Sequence, residues 1–210
     1  MPRDHADRLL AIGYAPADAR AALTALFELD AALGAILRTT REPLLGQMRL
    51  TWWHEALVAL DGGAAPAHPV LRDLGRDVVP RVSGAMLAAM VDGWEALLDD
   101  PLDAGAMERF AAMRGGGMFV AAGAVLGIER EGLQEAGAGW ALADLAGNLG
   151  DPASGTLART LALPRLAAAM RTAWPHRGRA LGALVLLARD GRSGSPALAA
   201  RLMWHRATGL

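Results

Sequence analysis

Arg41-Glu42-Pro43-Leu44-Leu45-Gly46-Gln47-Met48-Arg49-Leu50-Thr51-Trp52-Trp53-His54-Glu55-Ala56-Leu57 reads as one helix. Pro43 suits a first turn, where its missing N–H costs nothing. Asp61-Gly62-Gly63, just beyond Leu60, is a helix-ending signal. At 3.6 residues per turn Leu45, Arg49 and Trp53 share one stripe, and Met48, Trp52 and Ala56 the adjacent one. The four-residue spacing puts the Arg49 guanidinium within reach of the Trp53 indole, a pair worth about 0.5–2 kcal/mol depending on burial. On the residues alone, two tryptophans anchor the helix in a core and Arg49 bridges to a neighbouring carboxylate.

The same pattern extends in both directions. A long helix starts after Tyr14-Ala15-Pro16, with Arg20, Thr24 and Glu28 as a polar stripe opposite Leu23, Leu26, Phe27 and Leu29. Residues 64–69 read as a loop, followed by a short helix from Val70. After Pro80 comes an amphipathic helix whose seam is Leu87, Val91, Trp94 and Leu98. A helix from about Ala104 to Leu126 is interrupted by Gly115-Gly116-Gly117. Interior glycines cost about 1 kcal/mol each relative to alanine, so this run either breaks the helix or admits a close neighbour. Further helices are expected at 133–149, 166–174 and 179–189, then a loop over 190–196 and a last helix ending near Arg206. Alanine, leucine and arginine dominate, and no two-residue alternation is sustained, so the fold class is all-α. With no repeat or linker, residues 1–210 read as a single helical domain.

Composition removes several functions. The chain is 53% hydrophobic and 20% charged, the profile of a core-forming protein. It has no cysteine, hence no thiolate metal site or cysteine nucleophile. All 21 basic residues are arginine. Without lysine there is no phosphate-cradling P-loop and no Schiff-base chemistry. A net charge of −1 offers no general attraction to nucleic acid. The longest uncharged run, Gly115 to Ile128, is shorter than the roughly 20 residues a membrane span needs, and the polar start is not a secretory signal. The expected location is cytoplasmic, with at most peripheral contact at the inner membrane surface.

Smaller constellations carry less. His5, His54, His68, His176 and His205 lack metal-ligand spacing and read as surface residues. Asp99-Asp100 with Asp103 falls beside Pro101 and reads as a solvated turn. The three glycines follow no strand and make no nucleotide loop. Met86, Met90 and Trp94 read as core. Arg171 to Arg179 is a modest basic patch on a solvated face that can meet anionic headgroups.

Glu42-Pro43-Leu44-Leu45-Gly46-Gln47-Met48-Arg49-Leu50-Thr51-Trp52-Trp53 resembles the characteristic helix of the squalene/phytoene synthase family of head-to-head prenyl transferases. It is especially similar to the divergent branch that contains a mitochondrial complex I assembly factor. The likeness continues through Pro69-Val70-Leu71, Val91-Asp92-Gly93-Trp94-Glu95, Met107-Glu108-Arg109-Phe110 to Gly127, Gly139-Trp140-Ala141 to Leu149, and Leu161-Ala162-Leu163-Pro164. It resumes at Gly194-Ser195-Pro196, Arg201-Leu202 and Ala207-Thr208-Gly209. The resemblance implies an isoprenoid-synthase-type helical bundle, here shortened, around an apolar cavity. In active members two aspartate-rich motifs clamp Mg²⁺ and prenyl diphosphate; carboxylates one turn apart suit a hard cation.

The chain departs from that pattern where the chemistry would be. After Phe27 the first acidic motif is reduced to Asp30, with Ala32, Leu33 and Ile36 at matching positions. After Asn148 the second reads Leu149-Gly150-Asp151-Pro152-Ala153-Ser154, one aspartate beside a helix-ending proline. The leading expectation is therefore a non-catalytic member with no catalytic residue, metal or cofactor. It would bind an isoprenoid or lipid, or a protein partner, in keeping with respiratory complex assembly. Residues expected to line the cavity or ligand site are Phe27, Asp30, Gln47, Arg49, Trp52, Trp53, Glu55, Asp144 and Asp151. The alternative is a working Mg²⁺-dependent transferase acting on farnesyl or geranylgeranyl diphosphate in terpenoid biosynthesis, with Asp144 and Asp151 as its residual acidic set. A third reading is a scaffold whose cavity is filled by side chains.

Overall fold

A computed structural model describes residues 3–40, 42–63, 67–98, 101–190 and 195–210, and these contain helix and no strand. In chain order the helices are α1 (Arg3–Tyr14), α2 (Arg20–Thr39), α3 (Pro43–Ala59), α4 (Pro69–Asp77), α5 (Gly84–Glu95), α6 (Ala104–Phe110), α7 (Gly117–Leu126), α8 (Leu133–Asn148), α9 (Pro152–Ala169), α10 (Arg179–Asp190) and α11 (Pro196–Thr208). Asp99, Asp100 and most of the 190–196 loop lie outside the described residues, as do 64–66.

Helix α8 organises the bundle. Ten of its 16 residues are buried, mostly alanine and glycine around Trp140, Leu142 and Leu145. A helix apolar on all sides must be covered on all sides. α8 is flanked by α7, α9 and α10. α2 supplies the other wall with Leu23, Leu26, Phe27, Leu29, Leu33 and Ile36, while Arg20 and Glu28 face water. α3 packs against α5 through Leu50, Trp53, Ala56 and Leu57. One contiguous apolar core runs from α1 to α10. A satellite cluster joins Leu198 and Leu202 of α11 to Ala183, Leu186 and Leu187 of α10.

The glycine run resolves in favour of close approach. Between α6 and α7 the chain stays helical but widens into a π-helical stretch, Ala111–Gly116. There Gly115 lies backbone to backbone against Gly137 of α8, each where a Cβ on the other would overlap a carbonyl oxygen. Gly93 of α5 closes on the same stretch: a Cβ there would stand 2.6 Å from the Arg114 amide nitrogen. Insertions of this kind recur at functional sites.

Two expectations change. α1 was not anticipated, and the helix expected at 166–174 is the end of α9, which runs from Pro152 through Pro164. Pro164 and Thr160, whose carbonyl it leaves without an amide partner, both lie on the exposed side, which solvent can reach.

Candidate functional site

Four charged side chains from four elements meet inside the bundle. Asp30 comes from the inner face of α2, Arg114 from the π-helical stretch, Asp144 from α8 and Arg8 from α1. Arg114 and Asp30 are each 1% exposed. Arg114 donates from Nε to Asp30 Oδ1 at 2.7 Å and from Nη2 to Oδ2 at 2.8 Å, a two-point grip. Its Nη1 pairs with Asp144 Oδ2 at 2.7 Å. Arg8 donates to Asp30 Oδ2 at 2.7 Å and to the Phe27 carbonyl at 3.0 Å.

Aromatic rings enclose the Arg114 guanidinium. Its Cζ lies 4.4 Å from the Trp94 ring centroid, 4.9 Å from that of Trp140 and 5.2 Å from that of Phe110. Indole and phenyl faces stabilise a desolvated cation. Burial pushes the Asp30 carboxyl up, but the Arg114 and Arg8 guanidinia outweigh it and hold the group below the usual carboxylate range. Burial disfavours the charged form of Arg114 too, and Asp30 with Asp144 more than reverses that. Two carboxylates and two guanidinia cancel, which is the condition for keeping charge in a dry interior.

Beside the cluster lie two cavities that share Arg38, Trp94, Arg114, Asp144 and Asn148 as a wall. One, about 430 Å³, is bordered by His5, Arg8 and Asp30. The other, about 260 Å³, is lined by Leu37, Leu97, Leu102, Phe110, Leu145 and Leu149. The first falls within the roughly 300–1,000 Å³ of small-ligand pockets and the second just below it. Exposed Arg38 borders both cavities, and exposed His5 borders the larger one.

The anticipated residues therefore divide. Phe27, Asp30 and Asp144 are brought together, Phe27 lying under Arg8 with 5.7 Å from Cζ to ring centroid. The α3 residues stand apart from the cluster. Gln47 borders a surface cleft with Asp92, Glu95 and Arg109. Arg49 is exposed and donates to Thr40 Oγ1 at 2.9 Å. Trp53 is buried against His68, with ring centroids 4.9 Å apart, so a histidine takes the place expected of Arg49. Trp52 and Glu55 are exposed. Asp151 caps α9, accepting from the Ser154 amide at 2.8 Å and its hydroxyl at 2.6 Å. Three of the histidines read as surface residues are not exposed: His205 is buried, and His54 and His68 are half-buried. The basic patch is partly spent inside the fold: Arg177 donates to the Leu126 carbonyl at 2.6 Å and to Asp18 at 2.7 Å.

Arg114, Arg8, Trp94, Phe110 and Trp140 were not anticipated as site residues. Arg114 carries a signal: it is the single charge in the stretch from Phe110 to Ile128. An arginine so placed must find carboxylates across the fold.

The metal that prenyl-diphosphate chemistry uses does not fit this donor set. Both Asp30 oxygens hold guanidinium groups; Asp144 Oδ2 pairs with Arg114 and its Oδ1 accepts from Asn148 at 3.3 Å. The place between the two carboxylates is filled by the Arg114 side chain. Among the described residues no three acidic or histidine side chains gather as a metal would require.

An all-α bundle that presents carboxylates of two helices beside an apolar chamber has the architecture of the isoprenoid synthases. A family model for squalene/phytoene synthase matches residues 1–190, and the chain belongs to that family. No curated protein and no solved structure matches the chain.

Proposed function

We propose that this chain is a non-catalytic squalene/phytoene synthase relative that binds an isoprenoid or another lipid with an anionic head. The observation that carries this reading is Arg114, set between Asp30 and Asp144 with its charge fully matched. Ionising a prenyl diphosphate calls for divalent cations at clustered carboxylates, and here those oxygens serve a fixed internal cation. The Leu-lined chamber suits a hydrocarbon chain, and exposed Arg38, which borders both it and the neighbouring cavity, suits an anionic head.

The test has two arms. Purified protein incubated with Mg²⁺ and farnesyl or geranylgeranyl diphosphate should release no diphosphate. Mass spectrometry of its organic extract should find a co-purifying isoprenoid or lipid, lost on Leu145→Trp, which fills the chamber. Diphosphate release abolished by Asp144→Ala would establish the transferase instead, and an extract with nothing bound would favour a filled scaffold.

A protein partner is the second reading, favoured by the outward side of α3, where Leu44, Met48 and Trp52 are 71%, 63% and 45% exposed. The resemblance to the assembly-factor branch makes respiratory complex I the setting to test. A deletion strain should lose complex I activity, and Trp52→Glu should fail to restore it.

A further inference from the structure

Charge is distributed unevenly along this chain. Residues 152–210 carry nine arginines against one carboxylate, Asp190, a formal +8. Residues 1–151 carry twelve against 21, a formal −9. Part of that excess is met across the fold, Arg165 pairing with Glu108 and Glu135 and Arg177 with Asp18, and what is left still makes the C-terminal part basic. An asymmetry of this size is a signature of contact with an anionic surface.

Helix α11 gives that part a face. Its inner side, Leu198, Leu202 and His205, is buried on the bundle. At 100° per residue the outer side is Ala199, Ala200, Met203, Trp204 and Ala207. All five are exposed, Met203 and Trp204 at 72% and 61%, and Leu210 follows at 52%. Arg201 and Arg206 flank this apolar strip, one on each edge; Arg201 is half-exposed and pairs with Asp190 at 2.6 Å, Arg206 lies over the Tyr14 ring, and α11 itself contains no acidic residue. The helix is thus apolar on two sides with only one of them packed, and an apolar face of this extent marks a contact.

We infer that the outer face of α11 docks the protein on an anionic lipid surface, with Trp204 and Met203 at headgroup depth and the flanking arginines among phosphates. Tryptophan and arginine are the side chains that suit this boundary. The other exposed apolar strip, on α3, has Glu55 within it and Asp92 and Glu95 beside it, the wrong sign for such a surface. No described helix is long and apolar enough to cross a membrane, so contact by this route is in-plane. The inference is independent of what the chamber holds.

Co-sedimentation of the purified full chain with vesicles tests it, using phosphatidylcholine with and without phosphatidylglycerol. The native chain should sediment with the anionic vesicles alone and be released by salt. Met203→Glu/Trp204→Glu should weaken binding about tenfold or more, and Arg206→Gln about fivefold. Met48→Glu/Trp52→Glu, on α3, should bind as the native chain does. These side chains are exposed, and unchanged circular dichroism and melting temperature confirm each fold. A native chain left in the supernatant at low salt, or α11 variants that bind undiminished, would overturn the inference. So would a concentration-dependent dimer, dissolved by Trp204→Glu, which would give this face to a second copy.

Discussion

Arg114 and Asp30, 84 residues apart in sequence, hold each other through two parallel hydrogen bonds, each with only 1% of its surface exposed. Each charge is tolerable there only because of the other, and that dependence makes the pair experimentally accessible.

Asp30→Ala leaves the Arg114 and Arg8 guanidinia short of a counter-charge. Removing one partner of a buried pair costs about 3–5 kcal/mol, so the urea midpoint should fall sharply. Arg114→Met should cost nearly as much, because it orphans Asp30. The double variant Asp30→Leu/Arg114→Met should lose clearly less than the two single losses combined, since neither charge is then stranded. Strict additivity would mean that the pair is not coupled.

Backbone contact between α8 and the π-helical stretch yields a contrast between glycines. Gly137→Ala drives a methyl into the Gly115 carbonyl and should destabilise by about 1–3 kcal/mol or more. Gly147→Ala, in the same helix, meets nothing within 4 Å and should be neutral or stabilising by up to about 1 kcal/mol. Thermal melts of both read the difference directly.

His205 sets a pH dependence. Its Nε2 lies 3.0 Å from the Arg179 carbonyl, which can only accept, so Nε2 carries the proton of a neutral ring. Burial holds its pKa below the ordinary 6.5. The unfolded chain takes up a proton near that value which the folded chain refuses. Stability is therefore complete above about pH 6.5 and falls as pH drops toward the folded pKa, by at most about 1.4 kcal/mol per pH unit. His205→Gln should flatten the melting temperature between pH 7.5 and 5.5. Asp30, with its pKa depressed, contributes at lower pH: its stabilisation is present above about pH 4 and lost as pH falls through its folded pKa.

Asp151→Ala separates capping from ligand binding. Loss of the α9 cap should cost about 0.5–2 kcal/mol. The lipid recovered from the purified protein should not change, because Asp151 lies outside the cluster. A variant depleted of lipid at unchanged stability would return Asp151 to the site.

Helix positions were legible because they are written locally. The stripe of Arg20, Thr24 and Glu28, the proline start at Pro43 and the stop at Asp61-Gly62-Gly63 each act within a turn or two. Where reading failed, a breaker residue was overruled by its surroundings. Pro164 sits in α9 on the side that water can serve, whereas at the glycines 115–117 one of the two readings left open, close backbone approach, is the one the fold takes. The site was half legible. Asp30 stands out as the one carboxylate left after Phe27, whereas Asp144 lies before the stretch after Asn148 where the second motif is expected, and enters only beside Asp151 as a residual acidic set. The tryptophans of α3 drew attention by composition, yet Trp52 faces water and Trp53 packs on His68.

By itself, then, the sequence determined an all-α chain, because helical periodicity is written within a turn or two, and a motif resemblance to the family to which the chain belongs. Only the tertiary structure decided what stands between the two remaining carboxylates. The partner of a buried charge is chosen by which helices can approach closely, and that rests on Gly93, Gly115 and Gly137 letting backbones meet around Arg114.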